Sequence, residues 1–373
     1  MQRRDFFAWC ASASTAALWP QLAWAETPRD VSWLADVQRP PQQIPLPKRP
    51  LAPLLLNDQK QPIVSREQWE QERQQLRAAW LKFLGPMPTE RSPIRLQVLH
   101  EDRPEGCVRQ LVRYLSEADE PVEGYLLRPT TTTTSKRSGI VALHQTGATS
   151  IEEIAGVNGP VEQHLGLQLC RAGHVVFCPR CYLWKTPPQF QIDVKVTVDQ
   201  FQQRHPQTLG MHKMLFDAQR AVDVLVSLPD VDPQRIGAVG HSLGAKEVLY
   251  LAAFDERIKA AVASEGGLGF QSTNWNAPWY LGAGIDAADF ALNHHQLIAL
   301  IAPRPFLVLA GEANNGAADG DRSWPYVAAA LPVYQLYGTP ARLGLLNHRQ
   351  GHSIPPEVPS KLQEWLHVYT NAD

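Results

Sequence analysis

Ile236-Gly237-Ala238-Val239-Gly240-His241-Ser242-Leu243-Gly244-Ala245 is the stretch that decides the fold. An apolar run of strand length enters a Gly-x-Ser-x-Gly turn, and a helix is expected beyond it over 243–253. So tight a strand-to-helix turn strains the backbone of its central residue and projects that side chain from the C-terminal edge of the sheet. Gly240 and Gly244 lack the side chains that would clash where strand and helix meet. The helix start contributes partial positive charge and free N–H groups, which stabilise a developing oxyanion. Ser242 is therefore the expected nucleophile.

The same alternation extends to both sides. Three β-rich runs, 94–100, 107–115 and 122–127, precede a Thr/Ser-rich loop over 130–138 and a buried strand over 139–143. Helix 160–172 then precedes strand 174–178, helix 210–227 precedes strand 235–240, and helix 243–253 precedes strand 258–264. Helix 293–301 leads to strand 305–310, helix 325–337 to strand 341–347, and a last helix covers 357–370. Strands alternating with helices predict an α/β fold with a mostly parallel central sheet covered on both faces. Segment 266–290, with Trp275, Trp279 and Tyr280, is an irregular insertion.

Upstream, residues 26–62 are Pro-rich and aperiodic, an arm expected on the surface. Ser65-Arg66-Glu67-Gln68 has the form of a capping box. Behind it Trp69, Leu76, Trp80, Phe83 and Leu84 share one helical stripe, ended by Gly85-Pro86, and this helix is expected to pack the arm onto the main domain. Residues 1–25 read as a secretory signal: a charged start, a short apolar middle and Ala23-Trp24-Ala25. Arg3-Arg4-Asp5-Phe6-Phe7 resembles a twin-arginine (Tat) signal, which implies export of the folded chain to the periplasm or beyond. The expected division is thus a signal over 1–25, an arm and helix over 26–90, and a catalytic domain over 91–373.

Charge and cysteines narrow the function. The 373 residues carry Lys+Arg 35 against Asp+Glu 37, a net charge of -2, so no bulk positive field draws nucleic acid. With the signal removed, 348 residues with 33 basic and 36 acidic side chains remain. Cys107, Cys170, Cys178 and Cys181 are too few for a disulfide scaffold. Cys178-Pro179-Arg180-Cys181 leaves a strand rather than opening a helix, which disfavours a redox role, and zinc lacks a second matching pair although Cys170 and His174 are near. Buried or disulfide-paired cysteines are expected instead, with no metal and no cofactor.

Leu143-His144-Gln145-Thr146-Gly147, Val239 to Lys246, Phe254-Asp255-Glu256-Arg257-Ile258, Ser264-Glu265-Gly266-Gly267, Ile301-Ala302-Pro303-Arg304-Pro305 and Gly351-His352-Ser353 together resemble the α/β-hydrolase superfamily. More narrowly they resemble its dienelactone-hydrolase and acetyl-xylan-esterase group, with glucuronoyl-esterase relatives, over about residues 90–370. The resemblance implies a Ser-His-acid triad with the histidine after the last strand. His352 fits that position better than His348, which reads as a supporting loop residue; His294 and His295 read as packing or hydrogen-bonding residues.

For the acid, the superfamily's usual place three residues past Gly311 holds Asn314. Glu265, at the end of strand 258–264, matches the position some glucuronoyl esterases use and is the expected acid, with Asp319 the alternative. The oxyanion hole is expected from the N–H groups of Leu243 and Thr146, with Gln145 next in line. Lys246, followed by Glu247, matches a lysine of glucuronoyl esterases, but Leu243 stands where they carry arginine, which weighs against uronate-ester specificity. Trp184, Trp275, Trp279 and Tyr280 either wall a sugar or acyl pocket or pack on the core. The expected protein is an exported serine esterase for small-molecule or carbohydrate esters, without stable membrane insertion. A lactone, peptide or amide hydrolase and a silent hydrolase-like binding protein are the alternatives.

Overall fold

The computed structural model describes residues 30–57, 59–147, 149–184, 194–313, 316–338 and 340–371. The expected signal over 1–25 lies outside them. Among the described residues one sheet contains nine strands: β1 (Gln97–Asp102), β2 (Cys107–Glu117), β3 (Glu120–Pro129), β4 (Arg137–Leu143), β5 (Val175–Pro179), β6 (Val231–His241), β7 (Ile258–Ser264), β8 (Phe306–Ala310) and β9 (Leu343–Asn347). Their order is β1-β2-β3-β5-β4-β6-β7-β8-β9. β1, β2 and β3 pair antiparallel, β3 meets β5 antiparallel, and from β5 to β9 every pairing is parallel.

Parallel strands buried on both faces need apolar residues at successive positions. In β4, Val141 and Leu143 join one core while Ile140 and Ala142 join the other. The first core is closed by α2 (Arg66–Leu84), α6 (Gly210–Val226), α7 (Leu243–Phe254), α8 (His294–Ile301) and α9 (Trp324–Leu336). The second is closed by α1 (Leu34–Val37), α3 (Ser150–Ile154), α4 (Leu165–Arg171) and α10 (Val358–Thr370). The remaining helix, α5 (Val194–Arg204), is not expected from the sequence, because Val194-Lys195-Val196-Thr197-Val198 alternates β-branched and other residues as a strand does. Arg304 binds α7 to the sheet: its guanidinium donates to the carbonyls of Ala252, Asp255 and Ile258.

The capping box at Ser65 and Gln68 is formed, and Trp69, Leu76, Trp80 and Leu84 are buried. The arm differs from expectation. It is not wholly superficial: Val31, Trp33, Leu34 and Val37 are buried in the second core, on the opposite face from α2, while Leu54 is buried in the first core with Trp69 and Trp80 of α2. Trp33 packs on Trp365 of α10 at 5.7 Å, Arg342 pairs with Asp30 at 2.7 Å, and the Gln38 amide donates to Leu343 O at 3.1 Å, beside β9. Farther along, His295 donates to Ala52 O at 2.9 Å. The physical reason is the cluster of apolar residues in Val31-Ser32-Trp33-Leu34, short but large enough to bury.

Parallel register then assembles the site. Leu143 pairs with Gly240, His241 with Ser264, Ser264 with Leu309, and Ala310 with Asn347, so the ends of β4, β6, β7, β8 and β9 lie side by side. The loop residues that follow emerge at one edge, where ligand sites of open α/β sheets form.

Candidate active site

Ser242 sits between β6 and α7 with φ +57° and ψ −115°, a conformation sterically costly for a non-glycine residue. Its N–H donates to Ser264 O at 2.8 Å, continuing the sheet ladder one residue past β6. The crossing is as close as the two glycines imply. A Cβ on Gly240 would lie 2.4 Å from the Gly244 carbonyl carbon, and one on Gly244 would lie 2.0 Å from Leu143 O. The second contact also presses the loop after β4 against the first turn of α7, where helix geometry leaves N–H groups without intrahelical acceptors. Leu243 begins that turn, and Thr146 is exposed in the adjoining loop, its carbonyl accepting from Ser150 Oγ at 3.1 Å.

Glu265 repeats the device one strand over. It follows β7 with φ +58°, its N–H donates to Leu309 O at 2.9 Å, and it is 1% exposed. Its carboxylate accepts from the N–H of Gly311, from the N–H of Ala318 at 2.7 Å, and from His352 Nδ1 at 3.2 Å. Asp319 is equally buried but turned elsewhere. Its oxygens accept from the N–H groups of Gly267 (2.8 Å) and Leu268 (2.9 Å) and from the Ser323 hydroxyl (2.5 Å). Burial, then the nearby charge of Glu265, raises the Asp319 carboxyl above its ordinary range, and these hydrogen bonds oppose the rise.

His352 is partly exposed and its ring lies against that of His241, centroids 4.9 Å apart. His241 is buried, accepts or donates through Nδ1 to Ser264 Oγ at 3.0 Å, and is pushed down to about 3 chiefly by burial. The structure thus brings His352 to Glu265 and to the residue before Ser242; it forms no Ser242–His352 hydrogen bond among the described residues. Such catalytic contacts often tighten only around substrate. His348 stands over Gly311, a Cβ there lying 3.0 Å from its Cε1, and its Nδ1 accepts from Gln350 N–H at 3.2 Å.

Several buried polar groups near the site carry roles that motif reading does not reveal. His144 Nδ1 donates to Gln145 O at 2.7 Å while Nε2 accepts from Cys181 N–H at 2.9 Å, so a neutral imidazole ties the loop after β4 to the loop after β5. Burial lowers its pKa to about 4, consistent with that tautomer. Lys246 donates to Gly266 O at 2.7 Å and to Thr273 Oγ1, and its ammonium lies 3.9 Å from the Trp275 ring centroid. Burial depresses it to about 7, while Asp319 acts the other way. Trp275 and Tyr280 are buried and pack on each other, Trp275 also on His294, so the core reading holds for them, whereas Trp279 is only half-buried. His294 donates through Nδ1 to Leu268 O at 2.9 Å and accepts through Nε2 from Tyr250 OH at 3.0 Å, the hydrogen-bonding role expected of it.

Trp184 packs on His144 at 5.7 Å and borders a cleft of about 190 Å³ with Arg180, Tyr182, Lys213 and Asp217. Cys178 and Cys181 are free and buried, and a disulfide joins Cys107 to Cys170. Among the described residues no His, Cys, Asp and Glu side chains group as a metal site.

Residues 122–296 match the dienelactone hydrolase family model. YtaP of Bacillus subtilis (strain 168), named as a hydrolase, is 34% identical over 104 residues, a stretch covering 26% of this chain and about a third (34%) of that protein. Among solved structures, a glucuronoyl esterase from Solibacter usitatus superposes with TM-score 0.68 at 16% identity, covering 87% of this chain and 98% of that one. A glucuronoyl esterase from Teredinibacter turnerae T7901 gives 0.66 at 20% identity over 85% and 88% of the two chains. A Bacteroides fragilis NCTC 9343 protein named as an acetyl xylan esterase gives 0.59 at 14% over 83% and 84%. At these identities the structures establish the fold. Residues 122–296, which carry Ser242 and Glu265, are similar to the dienelactone hydrolase family and are set in an α/β-hydrolase fold.

Proposed function

We propose that the protein is an exported serine esterase in which Ser242, His352 and Glu265 act together. The observation that carries this reading is the juxtaposition of two strained strand-end residues, Ser242 and Glu265, with His352 hydrogen-bonded to the second and its ring lying against His241, the residue before the first. His352 accepts the Ser242 proton as Oγ attacks the ester carbonyl, and the Glu265 carboxylate fixes the imidazole and stabilises its cation. The N–H groups of Leu243 and Thr146 receive the oxyanion. His352 then protonates the leaving alcohol, and water, activated by the same imidazole, releases the acid and frees Ser242.

Carbohydrate esters suit the site as substrates. The structural neighbours include esterases of glucuronoyl and acetyl-xylan type, and Trp279 leaves part of an aromatic face open. Leu243 supplies no charge beside the nucleophile, which favours an uncharged acyl group over a uronate. Export is supported by the Tat-like leader and by the Cys107–Cys170 disulfide, a linkage that persists in oxidising compartments. Among the described residues no helix is long and apolar enough to cross a membrane.

Aryl acetates, acetylated xylan and methyl glucuronate esters, assayed with Ser242→Ala as control, test the proposal. Hydrolysis of at least one ester that disappears in the variant is expected. Absence of Ser242-dependent turnover on every ester would sink the esterase reading, and failure of a fluorophosphonate probe to label Ser242 would favour a silent binding protein.

A further inference from the structure

At the pole of the sheet opposite Ser242, a cleft of about 260 Å³ is lined by Lys136, Arg137, His174, Arg235 and His367, with Thr133 and Ser135 among the neutral residues beside them. No carboxylate lines it among the described residues. Lys136, Arg137 and Arg235 form no ion pair among those residues either. The two guanidiniums are instead held by neutral acceptors. Arg137 donates to Gly173 O at 2.9 Å and to Thr131 Oγ1 at 3.1 Å, and Arg235 donates to Thr370 O and to Lys136 O, each at 3.3 Å. Carbonyls fix the orientation of these groups but do not cancel their charge, so three cations face one small space with no carboxylate against them among the described residues.

A second observation concerns His174. It is 1% exposed, its Nδ1 shares a hydrogen bond of 2.6 Å with Ser138 Oγ, and its buried Nε2 has no partner. Native proteins seldom leave such an atom unsatisfied. Burial, and then the positive charges of His367, Arg235 and Arg137, lower its pKa to about 4. All three charges come from residues that line the cleft.

We propose that this cleft binds a phosphate-sized tetrahedral oxyanion, held by Lys136, Arg137 and Arg235 with hydroxyl donors from Thr133 and Ser135. Its volume accommodates such an ion with several waters, each occupying about 30 Å³. The site shares no residue with the ester chemistry, so binding there acts on stability rather than on Ser242. Free phosphate and the phosphate group of a small monoester present the same chemistry to these residues.

Inorganic phosphate and glycerol phosphate, titrated separately into the purified protein at low ionic strength, test the site by calorimetry and thermal melting, with sodium chloride at matched ionic strength as reference. Saturable binding of at least one is expected, with a rise in Tm beyond that given by chloride. Arg235→Gln should weaken it at least tenfold and the exposed Lys136→Gln several-fold, each leaving ester hydrolysis unchanged. The ligand bound more tightly identifies the source of the oxyanion. Equal Tm shifts from both phosphates and chloride, or wild-type affinity in folded Lys136→Gln and Arg235→Gln proteins, would overturn the assignment.

Discussion

Glu265 and His352, 87 residues apart in the chain, meet through a 3.2 Å contact between Oε2 and Nδ1. Two buried carboxylates cross-brace the loops behind that contact. Glu265, after β7, accepts N–H groups from the loop after β8, and Asp319, in the loop after β8, accepts N–H groups from the loop after β7.

The two acids should therefore fail differently. Glu265→Gln is expected to lower kcat by roughly 10²–10⁴ with little change in KM, because an amide cannot stabilise the imidazolium. Asp319→Ala leaves two buried N–H groups unpaired and should cost about 1–3 kcal/mol of stability for each, with a smaller loss of kcat in the protein that folds. Steady-state kinetics and denaturant melts on both variants check this; a fully active Glu265→Ala would refute the assignment.

The histidines separate in the same assay. His352→Ala should reduce aryl-acetate hydrolysis by about 10³-fold or more, as loss of a catalytic base does. His348→Ala should stay within roughly tenfold of wild type, since general-base loss alone is worth about 10²–10⁴. Equal losses would reverse the roles.

Gly244→Ala tests the turn itself. The added methyl would meet the backbone oxygen of Leu143 at 2.0 Å, which no side-chain rotation relieves, so β4 and α7 must separate. Poor folding or an inactive, less stable protein is expected, with overpacking costing about 1–3 kcal/mol or more. A Gly244→Ala enzyme of normal Tm and kcat would contradict the geometry.

Glu247 carries a pH signature. Burial raises its carboxyl to about 8. The folded state thus favours the protonated form, and the stabilisation is fully present below the unfolded value of 4.5 and lost as pH rises through about 8. Wild type should lose on the order of 4 kcal/mol relative to Glu247→Gln between pH 5 and pH 9, a tenfold change in proton affinity corresponding to about 1.4 kcal/mol. Parallel stability curves for the two proteins would disprove it.

Thiol counting checks the cysteines. Denatured, unreduced protein lacking residues 1–25 should titrate two thiols, Cys178 and Cys181, rising to four after reduction. Closing a loop over 63 residues, the Cys107–Cys170 bond is worth roughly 2–4 kcal/mol, so Cys170→Ser should be less stable by that amount in denaturant unfolding.

Much of this architecture is legible in the chain. Strand β7 spans the expected residues 258–264 because its buried positions form a nearly continuous apolar run, broken only by the half-buried Lys259 before Ser264, and the Gly-x-Ser-x-Gly turn falls where the motif predicts. What stays hidden is what side-chain type does not announce. Glu265 is held by backbone N–H groups from a loop more than 40 residues on, and backbone donors leave no trace in composition. The pairing of Cys107 with Cys170 depends on β2 meeting α4, which spacing does not encode. His144 and Lys246 look like ordinary polar residues until burial shows what each one ties together.

The arm has a consequence for how copies of this protein behave toward one another. β9 ends its side of the sheet, and a terminal strand with bare N–H and C=O groups is a template for pairing with a second molecule. Gln38 occupies Leu343 O, and Gly344 has no side chain, so Val37 can lie where a Cβ would come within 2.4 Å of it. The segment around α1 thus serves as a stopper against sheet-to-sheet aggregation, and a protein trimmed to Gln43 would expose that border of the sheet.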